Sequence, residues 1–263
     1  MTTTRNTHGP ISDAAMAGVL RTFVRATRPV LNGLREADPF GLRQRIVEDL
    51  PAGSARGFAD KVLDFLAAVE VPGTAAWAQM DRATRVRWWV RRVGRFTTAV
   101  AAVPGLGGAL AAKLPVAKAL GTAGQGLLLV AVAGEYGVHA ERDLVAMLGA
   151  VMFGRDLDTS RDLTADEESA AEAGAAEIIA PLRGQRPSLR RLAAAMWSLG
   201  RALFAVEDEL DKRPHGRFYH DMLGMVPVIG AFGKYLGEWS GLKRAARRAQ
   251  EWLAAHPQAG GTR

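Results

Sequence analysis

Cysteine is absent from all 263 residues. A disulfide scaffold, a thiol nucleophile and any Cys-ligated zinc or iron–sulfur site are therefore excluded. Histidine is scarce, at five residues, and His8 and His256 lie close to the two ends. Lysine is scarce too: of 34 basic residues only six are Lys, and the others are Arg. Residues 1–10 are polar and hold no apolar signal-peptide core, so the cytoplasm is the expected location. No strict Gly triplet accompanies the 29 Gly, which rules out a collagen-like chain. A hydrophobic share of 48% with 23% charged residues is too apolar for a wholly disordered protein.

What is present is helical. Runs of alternating β-branched residues are not found, and apolar residues recur at three- and four-residue steps. A first helix is expected over 12–36, with Met16, Val19, Leu20, Phe23, Val24, Val30, Leu31 and Leu34 as its stripe and Pro29 kinking or dividing it. A second follows Pro39, and a third covers 55–70. Val71, Pro72 and Gly73 form a turn before a long helix over 75–103. Thr164 and Glu167 have capping-box spacing and start a helix to about 180. Another helix opens at Pro187 and Ser188 and carries Leu189, Leu192, Met196, Leu199, Leu203, Val206 and Leu210 in register. The last helical region lies within 219–255. The expectation is all-α: a single helical domain over 12–255, between disordered tails at 1–11 and 256–263, with Gly-rich helical hairpins packed at its centre.

Three charge-free runs stand out, at 96–112, 119–134 and 222–233, with lengths of 17, 16 and 12 residues. A spanning helix needs about 20. The first two joined, 96–134, form either a membrane-dipping hairpin or a buried one, since close-packed small residues suit both. Val103, Pro104, Gly105, Leu106, Gly107 and Gly108 resemble Val226, Pro227, Val228, Ile229, Gly230 and Ala231. After the second copy Gly230, Gly233, Gly237 and Gly241 follow at three- and four-residue steps. The residues expected to pack helices together are Pro104, Gly105, Gly107, Gly108, Pro227, Gly230, Gly233 and Gly237. Phosphate loops fail: Gly105, Gly107 and Gly108 lack the third Gly of a dinucleotide fingerprint, and Lys234 is followed by Tyr235 rather than Ser or Thr.

Positive charge is local. Arg82, Arg85, Arg87, Arg91, Arg92 and Arg95 fall within 14 residues, interleaved with Trp88 and Trp89. Val86, Trp89, Val90, Val93 and Phe96 make the inner stripe, leaving Arg85, Trp88, Arg92 and Arg95 on an outer face. Lys243, Arg244, Arg247 and Arg248 repeat the pattern between Trp239 and Trp252. Basic residues with Trp beside an apolar segment are the pattern of a cytoplasmic membrane interface. The competing reading is a solvated Arg face paired with the acidic stretch 156–172. Nucleic acid is the least favoured partner, because no reading module accompanies the charge.

Catalytic constellations are thin. Glu135, His139 and Asp143 are spaced by four and would share one helix face, but nothing brings His215, His220 and Asp221 to them as a second ligand set. No Ser sits in a nucleophile elbow. Asp166, Glu167 and Glu168 read as a helix start, where acids suit the dipole. No catalytic residue, metal or cofactor is assigned, and the function is expected to be non-catalytic.

The order of motifs resembles a family. Val103, Pro104 and Gly105 precede Gln125 to Leu129, then Glu135, Tyr136 and Gly137, Glu141 and Arg142, and Phe153 and Gly154. Met225 to Gly233 and a basic, Ala-rich terminal helix complete the series. Together these residues resemble the EcsC family of bacterial proteins, over 95–155 and 220–252. The resemblance implies a mainly helical protein found alongside membrane transport systems and associated with the membrane. It carries no established reaction and no catalytic residues. The expected role is that of an accessory or regulatory protein, peripheral to the inner membrane, docking on an anionic surface or on a membrane-protein partner. The alternative is a soluble helical protein with a pocket for an apolar ligand or a protein partner between its Gly-rich helices.

Overall fold

A computed structural model describes residues 12–36, 71–101, 116–183, 188–211 and 230–260. Among these residues there are eight α-helices and no strand. In chain order they are α1 (Asp13–Arg35), α2 (Ala75–Gln79), α3 (Arg82–Ala101), α4 (Val116–Glu135), α5 (Glu141–Phe153), α6 (Ala165–Ile178), α7 (Leu189–Asp211) and α8 (Gly230–Ala255). The helices expected after Pro39 and over 55–70 lie outside the described residues, as do Pro104, Gly105, Gly107, Gly108 and Pro227.

Several starts have a visible cause. The Ser12 hydroxyl accepts from the Ala15 N–H at 3.1 Å and opens α1. Thr74 accepts from Trp77 N–H and opens α2. Thr164 and Glu167 form the reciprocal capping box at α6, as their spacing predicts. α5 ends at Gly154, whose φ of 61° allows its own N–H and that of Arg155 to reach the Ala150 and Gly149 carbonyls.

Two expectations need correction. α1 runs through Pro29 as one helix, so of the two outcomes expected there the division does not occur. The helix expected over 75–103 is instead two. Asp81 breaks it, because its carboxylate accepts from the Thr84 N–H at 2.6 Å and from the Thr84 hydroxyl at 3.0 Å. That cap starts α3 afresh, and the Thr84 bonds hold the Asp81 carboxyl below its ordinary range.

α4 is the central helix. It packs against α7, α3, α8, α1 and α5. Leu127, Leu128, Leu129, Val132 and Ala133 are fully buried in it. The charge-free run 119–134 is thus a core helix enclosed by protein. Among the described residues no helix is long and apolar enough to cross a membrane. α1 lies on α5, α6 and α7, while α8 lies on α3, α4 and α5. The buried apolar side chains form one continuous cluster. The stretch after α8, expected as a frayed tail, continues as a 3-10 helix (Pro257–Gly260) that buries Ala259.

Among the described residues, close approach comes from glycines of α4 and α7. A Cβ added at Gly200 of α7 would stand 2.1 Å from the Ala119 carbonyl oxygen of α4. At Gly126 it would meet the Phe23 ring at 2.5 Å, and at Gly124 the Thr97 hydroxyl at 2.5 Å. Gly241 has nothing within 4 Å of its added Cβ, so that end of the Gly track is not a tight seam. Gly230, Gly233 and Gly237 occupy the first turns of α8.

Candidate functional site

The basic face of α3 is smaller than its sequence suggests. The inner stripe is as expected: Val86, Trp89, Val90, Val93 and Phe96 are all buried. The outer face is not. Arg92 is only 3% exposed. Its Nε donates to the Leu34 carbonyl at 3.1 Å, and its Nη2 to the Glu36 carbonyl. A helix leaves its last carbonyls without intrahelical partners, and Arg92 supplies donors to the end of α1. Arg85 is half-buried, donating to the Met80 carbonyl and pairing with Glu135 at 3.5 Å. Arg95 and Trp88 are also half-buried.

The α3 tryptophans are structural. The Trp89 indole N–H donates to Glu135 at 2.9 Å, which gives its one polar atom a partner in the core. Trp88 meets Trp77 and Trp89 edge-on, each with ring centroids 5.0 Å apart. Arg92 and Arg35 lie over the Trp88 and Trp89 rings respectively. Trp89 and Arg92 are therefore corrected from surface-docking residues to core residues. Arg82, Arg87 and Arg91 are the exposed cations of α3.

α8 differs. Lys243, Arg244, Arg247 and Arg248 are all exposed, while Leu242, Ala245, Ala246 and Ala249 on the opposite side are buried. α8 packs directly on α3. Tyr136 joins their surfaces: the Arg82 guanidinium lies 4.5 Å from its ring centroid, and its hydroxyl accepts from Gln250 at 3.2 Å. The two sets of exposed cations thus belong to adjoining helices.

Asp81 and Glu251 are exposed beside these cations, but the acids of the 156–172 stretch pair elsewhere. Glu167 pairs with Arg161 at 2.7 Å, and Glu168 pairs with Arg25 at 2.9 Å. Arg25 also grips Glu141 through two nitrogens, at 2.6 and 2.9 Å, and so fastens α1 to both α5 and α6. Those bonds raise the Arg25 pKa and lower that of Glu168. The acidic stretch thus has arginine partners of its own on α1 and in its own loop.

The carboxylate–imidazole set does not assemble on one helix. α4 ends at Glu135 and α5 starts at Glu141, with Gly137 at a φ of 79° between them. Glu135 and Asp143 therefore sit on different helices with His139 in the turn, and Glu135 is engaged by Trp89 and Arg85. Among the described residues no group of His, Asp and Glu could hold a metal ion. The space beside Gly124, Gly126 and Gly200 is filled by Thr97, Phe23 and the Ala119 backbone; the pocket expected between the Gly-rich segments 104–134 and 226–241 falls largely outside the described residues.

No family model, curated protein or solved structure matches the chain. Sequence reasoning missed two features: the reach of Arg92 to the end of α1, and the pairing of Trp252 with His256. Their ring centroids are 4.1 Å apart and their planes 14° apart. The four-residue spacing of Arg244, Arg248, Trp252 and His256 was the available signal for the second.

Proposed function

We propose that this protein is a non-catalytic accessory or regulatory protein that docks peripherally on the anionic, cytoplasmic face of a membrane, in keeping with its resemblance to the EcsC family. The observation that carries the reading is the exposed basic surface of α3 and α8. Seven cations stand outward there: Arg82, Arg87, Arg91, Lys243, Arg244, Arg247 and Arg248. At roughly 1 kcal/mol for each cation near an anionic leaflet, they supply about 7 kcal/mol before orientational costs. A micromolar equilibrium needs about 8 kcal/mol. Charge alone falls just short, so a modest apolar contribution decides whether docking holds. Apolar help from inserting the 119–134 run would require dismantling the core around α4.

The test is flotation of the purified protein with phosphatidylcholine vesicles and with vesicles also containing phosphatidylglycerol. Binding to the anionic vesicles that weakens as salt is raised is the expected result. Retention in the soluble fraction under every condition would remove the reading.

A further inference from the structure

We propose that Trp252 is the apolar anchor of the basic α8 face, entering the interfacial layer of an anionic bilayer while His256 acts as its displaceable cover. The proposal rests on the docking reading above and names the residue that supplies its missing apolar share. Arg244, Arg248, Trp252 and His256 follow at four-residue steps and so lie along one side of α8. Arg244 and Arg248 are exposed, Trp252 is half-buried against the core, and His256 is exposed. A cationic row that ends in an indole is the order an interface favours, since Trp settles at headgroup level and Arg reaches the phosphates.

The other aromatic residues described on the basic surface cannot serve. Trp89 is enclosed and bonded to Glu135, and Trp88 is wedged against Trp77 and Trp89. Tyr136 is occupied on its face by Arg82 and at its hydroxyl by Gln250. Trp252, by contrast, is covered on one face by a single exposed imidazole. His256 is held by that stacking and by its Nδ1–H donating to the Trp252 carbonyl at 2.8 Å. Uncovering the indole needs only a rotation of the His256 side chain, since its backbone N–H stays on the Trp252 carbonyl and its carbonyl on the Ala259 N–H.

The experiment uses the full chain and the same two vesicle compositions. Trp252→Ala is expected to lower partition onto phosphatidylglycerol-containing vesicles roughly tenfold, and Trp252→Phe, which keeps the packing against the core, by less. The slope of log affinity against log salt stays that of the wild type, because no cation is removed. Trp197→Ala, a half-buried Trp of α7 outside the α3–α8 face, leaves partition unchanged. Brominated lipid quenches the wild type more than Trp252→Phe, and the difference is the signal of Trp252. Wild-type flotation with no loss in either Trp252 variant and no difference in quenching overturns the anchor while leaving the docking reading intact. A wild type that fails to float with anionic vesicles at low salt overturns both. A Trp252-dependent interaction with soluble polyglutamate but not with vesicles overturns the bilayer as occupant in favour of an acidic polypeptide.

Discussion

α3 and α8 look alike as sequences and differ as structures. Each carries a dense set of cations close to Trp. In α3 the aromatic residues and one arginine turn inward; in α8 the cations of the described half turn outward over a buried Leu–Ala stripe. The difference lies in what surrounds each helix. α3 is hemmed in by α4, α7 and α8, and the end of α1 needs donors where Arg92 happens to reach. The cations of α8 in its described half lie instead on the side of the helix away from Leu242, Ala245, Ala246 and Ala249. A charge cluster therefore announces a binding surface only where its side chains stay exposed.

The largest expected effect comes from treating Trp89 as a surface residue. Trp89→Ala empties a fully buried site and strips Glu135 of its indole donor. The expected cost is about 3–5 kcal/mol, a fall in Tm of roughly 6–20 °C. A stable variant with weakened vesicle binding would break the comparison. Arg92→Gln comes next. It removes the donors that close α1 and should cost about 2–3 kcal/mol, or roughly 4–12 °C in Tm, with vesicle binding retained below that temperature.

The contrast reverses in α8. Replacing Lys243, Arg244, Arg247 and Arg248 together by Gln should leave Tm little changed, since all four are exposed. Vesicle binding should fall by roughly 4 kcal/mol, about a thousandfold. A large loss of stability there would mean that the α8 cations, like Arg92, serve the fold.

The smallest effect concerns the acidic side of the molecule. Arg161, and then Thr164, hold the Glu167 carboxyl down at about 2, against an ordinary value near 4.5. A depressed carboxyl stabilises the folded state above its unfolded value, and that contribution is lost as pH falls through its folded value. Glu167→Gln should lower Tm slightly at neutral pH, and the gap to the wild type should close between about 4.5 and about 2. A gap that persists at the acid end would show that the capping geometry, rather than the charge, carries the effect. Vesicle binding should be unaffected throughout.

Local signals were the legible ones. The stripe of α1, the inner face of α3, the Thr164–Glu167 box and the buried row Leu192, Met196, Leu199, Leu203 and Val206 all follow from periodicity or spacing within one helix. Features that depend on a partner distant in sequence were not. Leu34 lies 58 residues from Arg92, and Glu135 lies 46 from Trp89. The 119–134 run was ambiguous for a different reason: an enclosed helix and a membrane-dipping one demand the same apolar composition, and only the helices packed around α4 decide between them. Gly200 gave no sign of itself because its role is set by the Ala119 carbonyl across the helix crossing. Asp81 was legible in principle as a cap, but the apolar period on either side of it ran on as if unbroken.

The decisive measurement is flotation of the wild type beside the variant with Gln at positions 243, 244, 247 and 248, at low salt, with phosphatidylglycerol-containing vesicles. The wild type is expected to rise with the vesicles and the variant, equally folded, to stay behind. A variant that floats as well as the wild type, or a wild type that does not float, would contradict the docking reading.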